Sequence, residues 1–297
     1  ADFVYGAQSS TEDVALCDLP PLLEGVLGGT DGLLLVCGAD GAGQDELLDG
    51  QGGLTAIAAT RLGAELQERQ ARHRSGGSGG YSFQMKLRCF QVDGDRIEDL
   101  LTDQPEPTRL HDANEGVVVE GLRGITVATP EEAVRALEAA QRRSEPSKRG
   151  RRSTATALEV TQADYFAGWG LFGRLLIFET PALDCLAEDK GLIQLREGYD
   201  TFRGVYHLRN LVRTWQMGKP GDVKGSALTW LLRDALCAGS VSATVLLCLR
   251  QQQPLISRTL LEFLDDFAKV ETNPVCCDHR VAGLTRALRA ERLSAQA

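Results

Sequence analysis

The sequence predicts an α/β domain, a central and mainly parallel sheet with helices on both faces. Two observations carry this: short apolar runs bounded by glycine recur along the chain, and helix-period stretches lie between them. At 297 residues, 43% hydrophobic and 25% charged, the chain can bury a large core, as one big domain or two small ones.

Taken in order, the first run is Gly32-Leu33-Leu34-Leu35-Val36-Cys37-Gly38, nearly continuous in apolar character, as a strand covered on both faces must be. Ser75-Gly76-Gly77-Ser78-Gly79-Gly80 reads as a flexible surface loop ahead of a second strand, Phe83 to Val92. Pro105 to Thr108 reads as a turn. Thr129 is placed to cap a helix opening with Pro130-Glu131-Glu132-Ala133-Val134-Arg135-Ala136-Leu137-Glu138, because proline at the first helical position forfeits no intrahelical bond. Gly173 to Phe178 and Thr244 to Leu249 repeat the buried-strand pattern. Trp169, between Gly168 and Gly170, reads as a hairpin-tip residue used for packing. In the segment from Asp278 to Leu293, Val281, Leu284 and Leu288 fall at spacings of three and four among arginines. That pattern fits either the start of a coiled coil or a short amphipathic helix docked on the domain.

Composition removes several function classes. A net charge of −9 and a pI near 5.1 speak against general nucleic-acid binding, which needs a basic footprint. The longest apolar run, Leu33 to Cys37, is far short of the roughly 20 residues that span a bilayer, so no membrane segment is expected. The eight cysteines are scattered without a CxxC pair, which suits a reduced, cytosolic protein. Cys276 and Cys277 with His279 lack the second ligand pair of a four-coordinate site, so no metal is expected there. The chain opens at Ala1 with no signal-peptide pattern, as a processed or trimmed fragment would.

Gly38-Ala39-Asp40-Gly41-Ala42-Gly43-Gln44-Asp45 follows the first strand with the glycine spacing of a phosphate-binding loop. Such a loop wraps a phosphate in backbone N–H groups while a lysine neutralises charge and a Ser/Thr hydroxyl holds Mg²⁺. Here Gln44 and Asp45 stand at those two positions: one supplies no cation and the other brings a carboxylate toward an anion. By itself a glycine-rich turn without the lysine reads more readily as a structural turn.

Order along the chain adds more. Val14 to Asp40 resembles the helix and strand that lead into the phosphate loop of the kinesin motor domain. Phe90 to Leu101 looks like that family's "EIYNExIxDLL" segment, and Gly116 to Leu122 with Val127 and Pro130 to Ala133 is similar to its "GvyVxgLtexxVxsxeea" stretch. Leu195 to Gly198, Leu208 and Asn210 fall where the family has its tubulin-docking helix. Leu228 to Leu236 looks like "KLTrLLqdsL", and Arg258 to Leu260 with Asn273 to Val275 resembles the last helix and exit. The resemblance implies a three-layer P-loop NTPase-like motor fold over 1–277, its first strand apparently missing, with 278–297 a C-terminal helix and possible start of a neck or coiled coil.

The same comparison places degenerate equivalents of the catalytic motifs. Switch I, "NxxSSRSH", is reduced to Arg149-Gly150-Arg151-Arg152-Ser153-Thr154; switch II, "DLAGSE", reads Glu179-Thr180-Pro181-Ala182-Leu183-Asp184. Phosphoryl transfer depends on positioning and charge stabilisation, so losing lysine, hydroxyl and switch groups together removes the mechanism. No catalytic residue is expected, with Ser153, Glu179 and Asp184 as degenerate equivalents. The nucleotide-site equivalents are Gly38, Gly41, Gly43, Gln44 and Asp45, and no cofactor is expected beyond weak ATP or ADP with Mg. The expectation is a catalytically degenerate kinesin-like module that binds or scaffolds at microtubules, in cytoplasmic cytoskeletal, centriolar or ciliary structures. The alternative is an atypical microtubule-stimulated ATPase using Glu179, Asp184 and Arg152.

For tubulin the candidates are Arg196, Arg203, Arg209, Arg213, Lys219 and Lys224. Set against Glu197, Asp200 and Asp222, they leave 195–224 with a net charge of +3. The run Arg142, Arg143, Lys148, Arg149, Arg151 and Arg152 reads as a solvated loop or an anion or import patch. A coiled coil beyond Leu293 would make protein partners and a homodimer available.

Overall fold

Seven of the eight residues of the strand Asp31–Gly38 (β1) are buried, because β1 sits in the middle of the sheet with a helical layer on each side. Its side chains alternate between two cores. Leu34 and Val36 face one, with Leu19 and Leu22 of the helix Thr11–Leu27 (α1) and Leu62 of the helix Leu54–Ser75 (α3). Leu33, Leu35 and Cys37 face the other, built on the helices Tyr199–Gln216 (α5), Ala227–Leu236 (α6) and Pro254–Ala268 (α7). This is the three-layer α/β arrangement the sequence predicts.

The computed structural model describes residues 3–76, 80–113, 116–144, 152–186, 199–217, 221–236, 241–270, 272, 274 and 276–278. Between the elements named above lie the short helix Gln44–Leu48 (α2) and the strands Tyr81–Asp93 (β2), Arg96–Asp99 (β3), Arg109–Ala113 (β4), Gly116–Glu120 (β5) and Ile125–Val127 (β6). The helix Pro130–Arg143 (α4), the strands Ser153–Asp164 (β7) and Trp169–Glu179 (β8), and a 3-10 turn at Leu183–Leu186 follow. The chain then continues through α5 and α6 to the strand Val241–Cys248 (β9), α7 and the strand Cys277–Asp278 (β10).

The main sheet runs β3-β2-β7-β8-β1-β9, with β6 on β2 and β10 on β8. Parallel pairing occupies its centre, β8 and β9 flanking β1. The half built on β2, β7 and β8 is antiparallel: a hairpin joins β7 to β8, with Asp164 pairing with Trp169 across a four-residue tip, while β2 pairs with β7 across the segment that carries β3 to β6 and α4. Trp169 is therefore the first strand residue beside the tip, and its ring lies 6.1 Å from that of Tyr81, in keeping with packing. β4 and β5 form a separate two-stranded hairpin.

Helix starts follow their caps. Ser10 and Asp13 form a reciprocal capping box at α1. The Thr129 hydroxyl accepts from the Glu132 amide at 3.2 Å while Glu132 accepts from the Ala128 amide at 2.8 Å, with Pro130 in the first turn. Thr129→Ala is expected to lower stability by about 1 kcal/mol, read as a shifted urea midpoint at unchanged slope. Pro105 to Thr108 carry no regular structure, since Thr108 instead donates to the Ile97 carbonyl and leads straight into β4. Asp278 belongs to β10 and is not helical; 279–297, the neck or coiled-coil candidate, lie outside the described residues. The thiols of buried Cys37 and Cys89 and of half-buried Cys248 are pushed up by desolvation to about 12, about 12 and about 11, so they pack as unreactive side chains.

Candidate functional site

The three parallel strands bring the chemistry-bearing segments to one sheet edge. β1 ends at Gly38 and opens the loop to Gly43; β8 ends at Glu179, and the Thr180 amide donates to the Val36 carbonyl (2.9 Å), so the segment after β8 leaves alongside the loop. β9 ends at Cys248, beside Gly38, and delivers Arg250 to the same place. Ligand sites of open α/β sheets form at such carboxyl ends.

Backbone geometry explains the glycines. Gly41 (φ 63°) and Gly43 (φ 93°) lie in the left-handed region, which costs other residues strain. At Gly38 a Cβ would stand 2.8 Å from the Cys248 carbonyl oxygen and 2.7 Å from Gln44 Nε2. The second distance shows where Gln44 goes: at 7% exposure its amide folds back into the loop. The helix that follows carries Asp45 and Glu46 in its first turn, where a bound anion would meet like charge.

The segment after β8 docks on this loop. The Asp40 amide donates to Asp184 Oδ2 at 2.6 Å, and Arg250 Nη1 donates to the Asp40 carbonyl at 2.9 Å. Neither contact is legible in the sequence, because the partners are 144 and 210 residues apart. Glu179 Oε2 accepts from the Thr154 hydroxyl at 2.7 Å, across the β7–β8 ladder. Behind the loop lies a cavity of about 40 Å³ lined by Asp49, Thr55, Gln141, Ser144, Thr154 and Glu179 among others. It is the size of a few waters, whereas ligand pockets run to roughly 300 Å³ or more.

Gly38, Gly41, Gly43, Gln44, Asp45, Glu179 and Asp184 are thus gathered at one edge. Arg152 and Ser153 take other roles. Arg152 is 8% exposed and its guanidinium engages Asp93 of β2 through Nε and Nη2, both at 3.0 Å, two strands beyond β8. Ser153 is buried and pairs with Val92 in the ladder. Arg149 and Arg151, like Lys148, lie outside the described residues. Among the described residues no cluster of three or more His, Cys, Asp or Glu side chains is arranged to hold a metal. His279 lies outside them.

The basic candidates are largely paired. Arg203 bonds Asp95, Arg213 bonds Asp266 at 3.1 Å, and Lys224 bonds Asp112 at 2.6 Å while sitting 4.8 Å over the Trp230 ring. Arg209 is half-buried, its Nε enclosed without a hydrogen-bond partner among the described residues. Arg196 and Lys219 lie outside the described residues. Asp112 also accepts from Trp230 Nε1 at 3.0 Å and from Arg233, so it clasps the β4–β5 hairpin to α6. No helix among the described residues is long and apolar enough to cross a membrane.

Comparison with known proteins agrees with this architecture. The family model described as the kinesin motor domain matches residues 1–155. A kinesin heavy chain from Botryotinia fuckeliana is 20% identical over 265 residues, covering 83% of this chain and 29% of that protein, so this chain spans less than a third of its relative's length. The solved structure of a fast kinesin superimposes with a TM-score of 0.80 at 16% identity, covering 94% of this chain and 81% of that one.

Proposed function

We propose that this chain, which belongs to the kinesin motor-domain family, is a catalytically degenerate member that works as a microtubule-associated binding or scaffolding module. One observation carries the reading: the loop that would cradle a nucleotide phosphate has a neutral Gln44 folded into it and offers its Asp40 amide to the chain's own Asp184 carboxylate. The residues present do not fit a magnesium nucleotide. Gln44 puts a neutral amide where the lysine would stand, the Arg250 guanidinium is engaged by the Asp40 carbonyl, Asp45 stands in place of the metal-ligating hydroxyl, and Asp45, Glu46 and Asp184 would all repel a polyphosphate.

The atypical-ATPase reading needs Arg152 beside the phosphate, whereas its guanidinium is committed to Asp93. Binding at the microtubule draws on the family, on the fast kinesin's described interactions with microtubules, and on the cations of α5 and the loop before α6. Because Asp95, Asp112 and Asp266 already pair three of those cations, the association is weak and salt-sensitive.

The test is steady-state ATP turnover with and without polymerised tubulin, beside co-sedimentation. Turnover is expected to stay at background in both, and the pelleted fraction to be the same with MgATP, MgADP or neither. Microtubule-stimulated phosphate release overturns the degenerate reading; no pelleting at low salt removes the microtubule and leaves a scaffold.

A further inference from the structure

We propose that the glycine loop is a self-occupied anion cradle, in which the Asp184 carboxylate takes the backbone donor that a ligand oxyanion would take and latches the segment after β8 to the loop without any nucleotide. This rests on the degenerate-site reading and adds what occupies the loop in place of a phosphate.

Asp40 is held at both of its backbone groups: its N–H donates to Asp184 Oδ2 at 2.6 Å and its carbonyl accepts from Arg250 Nη1 at 2.9 Å. The Arg250 guanidinium reaches within 3.6 Å of where a Gly41 Cβ would stand, so it lies along the outside of the loop. From the inside, Gln44 Nε2 packs at 2.7 Å from the corresponding point at Gly38. A backbone N–H bonded to a carboxylate is the same charge-assisted interaction that a loop amide makes to a phosphate oxygen, about twice as strong as a neutral one. An incoming phosphate has to displace that carboxylate, and it meets Asp45 and Glu46 as it does so. The holding groups follow β8 and β9, the two neighbours of β1, so the latch ties together the ends of all three parallel strands.

Hydrogen exchange of the full chain, read by mass spectrometry without nucleotide, tests this. In Asp184→Asn, peptides covering 38–44 and 180–186 are expected to exchange about tenfold faster than in wild type, while those of β1 and β8 keep their protection. Asp184→Glu, which retains the charge on a longer arm, restores part of the protection. Equal exchange of 38–44 in wild type and Asp184→Asn overturns the latch. Inorganic pyrophosphate is the second probe. It is expected to leave the melting temperature and the 38–44 exchange of wild type unchanged. Protection of the wild-type loop by pyrophosphate overturns the proposal even if the Asn variant fails to fold. Neither readout involves turnover, so the latch can fail while the degenerate-site reading stands, and hydrolysis can be found in a chain whose nucleotide-free loop is latched.

Discussion

Asp93→Ala lowers stability by about 4 kcal/mol, roughly twice the loss in Arg152→Ala, as measured by urea unfolding of the two variants beside wild type. The asymmetry follows from where the charges sit. Arg152 is nine-tenths buried and one of its terminal nitrogens, Nη1, has no hydrogen-bond partner among the described residues, whereas the Asp93 side chain is 44% exposed. Removing the carboxylate strands a buried guanidinium beside the β2–β7 pair, where desolvation is uncompensated. Removing the arginine leaves a carboxylate that water can solvate, and the cost is mainly lost packing. If instead Arg152 stands in for the missing phosphate-loop lysine, Arg152→Ala abolishes a nucleotide-dependent rise in melting temperature. The pairing with Asp93 leads to the opposite result: MgADP shifts neither wild type nor Arg152→Ala.

That expectation marks the boundary between what was legible in the sequence and what was not. β1 could be read because a strand buried on both faces must be apolar without interruption, β8 and β9 from their shorter apolar runs although they are only partly buried, and α4 because Thr129 and Pro130 announce its start. The antiparallel half of the sheet was less legible: β2 and β7 alternate exposure along 13 and 12 residues, and alternation does not reveal which strand is the neighbour. Order along the chain located the loop and the segment after β8, but their interlock depends on side chains more than a hundred residues apart, which no local pattern encodes. Arg250 was missed for that reason; it follows a strand and belongs to no motif. The net +3 of 195–224 can be counted from the sequence, but its pairing cannot, because Asp95 and Asp112, which bond Arg203 and Lys224, come from β-hairpins over a hundred residues upstream.

Asp112→Asn is expected to tighten microtubule association several-fold at low ionic strength, the two salt titrations converging by about 0.3 M, where the Debye length falls well under 10 Å. Asp112 holds Lys224, Trp230 and Arg233 at once, so one carboxylate neutralises two cations. Asparagine keeps an acceptor for the Trp230 N–H and gives up the charge, and exposed ion pairs are each worth under about 1 kcal/mol, so the fold is retained. Acid does not substitute for the mutation. Hydrogen bonds from Lys224 and Trp230, with that of Arg233, hold the Asp112 carboxyl well below the usual carboxylate range. With the folded value depressed, the clasp is complete above the unfolded carboxylate's pKa of about 4 and is lost only as pH falls toward the lower folded value. Wild-type co-sedimentation between pH 6 and pH 8 therefore shows no unmasking through Asp112. Lys224→Ala weakens pelleting, and in the Asp112→Asn background it removes most of the gain. A variant pair that pellets identically at every salt concentration places Lys224 away from the microtubule.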